Sequence, residues 1–144
     1  MIRFQSIGLA VGALFLALVV LFPAASHAQI SAPGFVANPI LVSPISGDEV
    51  KEIAIIDVTL APGASSPPSH THPGDCYGLI LEGTVELRAE GQEPRRFSAG
   101  QAWHNPRGLA HYFKNVGESP AHLAITLVVD KGKPRTQIQP APQK

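Results

Sequence analysis

Residues 101–116 read QAWHNPRGLAHYFKNV, and they are best understood as strand, turn, strand. Gln101 to Asn105 and His111 to Val116 are short, aromatic- and apolar-containing runs, and Pro106-Arg107-Gly108 between them supplies the proline and glycine that punctuate a chain reversal. The same grammar extends outward. Ile53 to Leu60 is rich in β-branched residues, and Tyr77 to Leu81, Thr84 to Ala89, Arg95 to Ser98 and Ala121 to Val129 are each fenced by Gly, Pro or Asn; Ile40 to Pro44 adds a further candidate. No window of ten or more residues keeps a helical period without a breaker. Seven or eight short strands in so little chain predict an all-β antiparallel sandwich or closed barrel. The 14 prolines and 13 glycines argue against a helical bundle in the same way.

Charge and cysteine count narrow the function classes. Eleven Lys and Arg balance eleven Asp and Glu, so the chain lacks the basic surface that displaces counterions from a nucleic acid. One cysteine, Cys76, excludes an intrachain disulfide framework. Arg3, the uncharged run Ile7 to Phe22 and then Pro23-Ala24-Ala25-Ser26-His27-Ala28 have the layout of a secretory signal, with Ser26 and Ala28 at the −3 and −1 positions. Sixteen apolar residues are short for a membrane span, which typically needs about 20. Residues 1–28 are therefore read as a signal peptide, and the mature chain, Gln29 to Lys144, as a periplasmic or secreted protein with no membrane attachment after cleavage. Residues 29–39 and 131–144 mix Ser, Pro, Gly, Gln and Lys without period, and are read as a flexible arm and a flexible tail around a barrel at 40–130.

The chemistry lies in the histidines. His70-Thr71-His72 places two imidazoles on one face of an extended strand, where they can share a metal ion. His111 opens another strand, with Phe113 and Asn115 on its own face. A lone His-x-His is weak evidence, because solvated histidines are common; the surrounding spacing strengthens it. Other polar residues read as structural. Trp103 and Phe113 are core candidates, His104 a satisfied structural histidine or a proton carrier, His122 and Glu82 solvated, Asn115 a side chain bonding a neighbouring turn, and Arg95-Arg96 a guard on an exposed edge. No serine sits in a setting that favours Ser-His-Asp catalysis.

Gly63 to Gly83 resembles the first cupin motif and Gly100 to Asn115 the second. The second motif runs glycine, five residues, Pro-x-Gly, two residues, His, three residues, Asn; Gly100, Pro106, Gly108, His111 and Asn115 match every position. The first is looser: Gly63, six residues instead of five, His70-Thr71-His72, three residues, Cys76, then Gly83. The resemblance spans roughly Ile53 to Val129. It implies a double-stranded β-helix, the jelly-roll or cupin barrel, holding one divalent transition metal on His70, His72 and His111, and a homodimer paired through sheet edges. The family's fourth ligand, a glutamate, would fall on Cys76, with Asp75 and Tyr77 as neighbouring alternatives.

That departure leaves two readings open. With Cys76 as ligand the site is soft, favours Zn, Cu or Fe over Mn, and for zinc would be a closed four-coordinate site suited to a metal carrier or a ligand-sensing barrel. With Cys76 as a small buried hydrophobe beside the site, three histidines leave positions open for a small-molecule ligand or substrate, as in the superfamily's mononuclear oxygenases.

Overall fold

The computed structural model describes residues 32–140. The predicted signal peptide at 1–28 lies outside the described residues. Ten strands form the chain between them: β1 (Phe35–Ile45), β2 (Asp48–Leu60), β3 (His70–Thr71), β4 (Gly74–Glu82), β5 (Thr84–Ala89), β6 (Arg95–Ser98), β7 (Ala102–Asn105), β8 (His111–Asn115), β9 (Ala121–Asp130) and β10 (Gln137–Ile138). They make two five-stranded sheets, ordered β1-β2-β9-β4-β7 and β10-β3-β8-β5-β6, with every pairing antiparallel. No described helix is long and apolar enough to cross a membrane.

Side-chain alternation builds the core. Along β9, Ala121, Leu123, Ile125, Leu127 and Val129 are buried while the residues between them are half-exposed. The inward residues of the first sheet meet Val85 and Leu87 of β5 and Phe113 of β8 from the second. This is the period-two pattern of a sheet with one face in the core. Gly83 makes the β4–β5 reversal possible: its φ is 80°, and an added Cβ would stand 2.9 Å from the Ala121 Cα.

Asn115 ends the second motif in the structural role expected of it. Its Nδ2 donates to the carbonyls of Leu60 (3.1 Å) and Ser119 (2.8 Å), and its Oδ1 accepts from the Gly117 amide (2.9 Å). One fully buried amide thus joins the end of β2 to the β8–β9 turn.

Both ends of the described chain differ from the sequence expectation. Residues 35–39, expected in a flexible arm, belong to β1, which pairs with β2 from Phe35↔Leu60 onward. Phe35 supplies the apolar burial that the rest of the segment lacks, packing edge-to-face on Phe113 at 6.3 Å between ring centroids. In the expected tail, β10 pairs with β3, the Gln139 amide donates to the Ser69 carbonyl (2.8 Å), and Arg135 reaches Glu52. Hydrophobic burial was the wrong criterion for this segment, since hydrogen bonds and an ion pair hold it.

Candidate metal centre

His70 and His111 face each other directly across the β3–β8 ladder, and His72 follows β3 with its side chain on the same side of the barrel. β3 is only two residues long because prolines bracket it, at 67–68 before and 73 after. All three imidazoles are buried, with ring centroids 4.5–5.2 Å apart. One nitrogen from each lies within 4.8 Å of the others, and among the described residues this is the one such cluster of His, Cys, Asp or Glu.

Each ring is fixed from behind. Nδ1 of His70 lies 3.1 Å from the Pro67 carbonyl, that of His72 2.6 Å from the Arg135 carbonyl, and that of His111 2.9 Å from the Leu109 carbonyl. A carbonyl only accepts, so each Nδ1 carries the proton and donates. Every Nε2 is thereby left with a free lone pair. Metal-bound histidines characteristically donate their second nitrogen in this way, which sets the tautomer and the ring orientation.

Electrostatics agree. Burial, with the other two rings adding to it, pulls His70 down from 6.5 to about 3, and burial lowers His72 to about 4 and His111 in the same direction. The imidazoles are neutral at physiological pH, the form that binds metal. For the metal-free protein the sign is clear. As pH falls below 6.5 the unfolded chain takes up protons that the folded chain refuses, so stability falls with it, down to about pH 4 on account of His72 and about pH 3 on account of His70. Thermal unfolding of chelator-treated protein between pH 7.5 and 4.5 should show the midpoint falling steadily, with a shallower slope in His72→Ala; a flat profile would contradict neutral burial.

The cluster opens onto a cavity of about 360 Å³, a size typical of small-molecule sites. Its walls are mainly apolar, from Phe35, Ile56, Val58, Phe113, Ile125 and Leu127, and residues 132–136 close one side. Cys76 lines this cavity and is buried, but its sulfur is not within the three-histidine cluster. Burial pushes its thiol up to about 12, so the metal-free protein holds it protonated. No carboxylate joins the cluster among the described residues. Asp75 instead accepts from the Arg107 amide at 3.1 Å, and Tyr77 stacks outside the barrel on His104.

The other candidates fall as follows. Trp103 and Phe113 are core residues. His104 is on the exposed face, 3.5 Å from Asp75, which removes it as a proton carrier for the cavity. His122 is partly buried and paired with Asp57 in place of being simply solvated. Arg96, on the outer strand β6, bonds Glu86 of β5, and Glu82 is exposed. Two residues escaped the sequence reading. Arg135 lay in a segment with no period to flag it. Asn105 stands opposite Cys76 across the β4–β7 ladder, fully buried, with neither amide atom hydrogen-bonded among the described residues.

Comparison with known proteins fits this geometry. The cupin-domain family profile matches residues 56–130. The chain belongs to the cupin family. Germin-like protein 5-1 of Oryza sativa subsp. japonica is 31% identical to this cupin over 109 residues, covering 72% of the chain and 48% of the relative. The cupin chain spans about half the length of the curated relatives it matches. An oxalate oxidase structure superposes with a TM-score of 0.53 at 26% identity, over 60% of this chain and 45% of that one. A cupin family protein of Methanocaldococcus jannaschii, described as a double-stranded β-helix, gives 0.57 at 17% identity over 69% and 84%, a likeness of fold alone.

Proposed function

We propose that this cupin is an exported, metal-dependent enzyme that acts on a small molecule at an open three-histidine site, in the manner of the mononuclear oxygenases. The observation that carries the reading is the set of three Nδ1 donors held by backbone carbonyls, which leaves three neutral Nε2 donors facing one cavity. Three imidazoles suit Fe, Cu or Zn. Such an ion, when bound, supplies Lewis acidity or redox capacity at positions the protein leaves free. The chain's own residues hold its ligands in register and exclude water with apolar walls. The similarity to an oxalate oxidase supports an enzymatic role. The leader-like sequence at 1–28 supports export, and the exposed apolar row Tyr77, Leu79 and Leu81 on β4 supports a homodimer.

A second reading keeps one specific observation in its favour: Cys76 is buried in the wall of the same cavity. If its sulfur closes the coordination sphere, the protein is a metal carrier or sensor. Metal analysis of protein taken from its native compartment, followed by cobalt substitution, separates the two. The open site predicts one transition-metal ion per chain and a cobalt spectrum without a sulfur-to-metal charge-transfer band. A strong band that disappears in Cys76→Ser would replace the enzyme reading with the carrier.

A further inference from the structure

Arg135 is tied at two points. Its carbonyl receives the His72 Nδ1 proton at 2.6 Å, and its Nε donates to Glu52 Oε1 at 2.8 Å. Glu52 faces inward from β2, and the two side chains are only 10% and 13% exposed. Burying an ion pair carries a desolvation cost that its mutual attraction often fails to recover, so such a pair adds little to stability. Its presence inside a small barrel therefore calls for another role.

The guanidinium has capacity to spare. Only Nε is engaged; the two Nη nitrogens make no hydrogen bond to any described residue. Arg135 lines the cavity that the three imidazoles face, and no Asp or Glu lines it among the described residues. Lys133 also lines it, but its Nζ is held by Asp130 at 3.1 Å. A mostly buried planar fork with spare donors, at a cavity to which no described residue contributes an acidic side chain, matches the geometry of a carboxylate. The apolar walls and the volume of about 360 Å³ ask for an apolar body attached to it.

We infer that Arg135, steadied by Glu52, is the carboxylate-recognising residue of this cavity, and that its ligand is a small monocarboxylic acid with an apolar body. The inference rests on the cavity being the substrate site proposed above, and does not require that a metal be bound.

Calorimetric titration of the full-chain protein, metal-free and zinc-loaded, tests it with hexanoate against hexanamide and benzoate against benzamide, and with oxalate as a purely polar acid. A charged hydrogen bond predicts that the acids bind about tenfold more tightly than their amides, in the metal-free protein as well. Arg135→Gln should abolish that preference, and Arg135→Lys, which keeps the charge without the planar fork, should retain only part of it. Glu52→Gln, whose amide oxygen can still accept from Nε and hold Arg135 while the competing charge is removed, should tighten acid binding several-fold, an effect opposite to that of a damaged scaffold. Equal binding of acid and amide, a preference that survives Arg135→Gln, unchanged or weaker acid binding in Glu52→Gln, or oxalate bound more tightly than hexanoate would each overturn it. Zinc stoichiometry is read separately, so a chain that takes up no metal defeats the metal reading while the metal-free titration still decides the role of Arg135.

Discussion

Single replacement of His70, His72 or His111 by alanine is expected to reduce bound metal from one ion per chain to a small fraction of that. The cluster contains three donors and no carboxylate among the described residues, so each substitution removes a third of the protein's hold on the ion. Loss of an outer hydrogen-bond partner alone typically costs roughly 10–100-fold in metal affinity, and loss of the ligand itself should exceed that. The effect should also appear as stability. An ion present at a thousand times its dissociation constant stabilises the folded state by about 4 kcal/mol, and the variants should lose that increment. Metal-free stability should change far less, because the substitutions delete buried polar rings that contribute little to the apolar core. Elemental analysis and unfolding with and without metal check both halves. Full metal stoichiometry in any two of the variants would show that the ligands lie elsewhere.

The second large effect is expected from Gly74→Ala. A Cβ at this position would lie 1.9 Å from the Val128 carbonyl oxygen and 2.6 Å from the Val129 Cα, both backbone atoms of the neighbouring strand. Gly74 pairs with Val129 where β4 begins, so the two strands must separate there to admit a methyl group. Overpacking ordinarily costs about 1–3 kcal/mol, and a backbone that cannot yield belongs at or above the top of that range. Gly78→Ala offers the contrast. Its Cβ would meet the Trp103 ring at 2.2 Å, a side chain that can be replaced. Pairing Gly78→Ala with Trp103→Leu should recover part of the lost stability, whereas Trp103→Leu should do nothing for Gly74→Ala. Chemical denaturation of the two doubles against their singles measures the difference. Rescue of Gly74→Ala by the Trp103 substitution would place its clash on the wrong neighbour.

Much of the barrel could be read from the chain because its signals are local. Thr84–Ala89 and Arg95–Ser98 were bounded by turn residues on both sides and form β5 and β6 with those same limits. His111, Phe113 and Asn115 shared a face by parity and are buried together. The gathering of His70, His72 and His111 was also foreseeable, since two lie on one short extended segment and the third sits in a highly specific motif. What sequence could not reveal was long-range and polar. β10 has no hydrophobic period and depends on pairing with β3, and Arg135 takes its place from Glu52 across the barrel. Apolar pattern reports which face turns inward, and says nothing of which carbonyl meets which imidazole. The burial of Cys76 beside the site was one of the two readings the motif left open; its separation from the histidine cluster was not legible, because a motif position leaves depth along the barrel undetermined.

The carbonyl that holds His72 lies 63 residues further along the chain, and the Ser69 carbonyl beside the same strand waits for Gln139. A polypeptide is made from its N-terminus, so the His72 ring stays without its carbonyl partner until residue 135 has emerged. His70 and His111 can meet earlier, once β3 and β8 have paired, and would at first offer an ion two donors. The His72 ring is fixed only when residues 135–138 dock beside β3. An ion would therefore meet all three fixed imidazoles only after that docking.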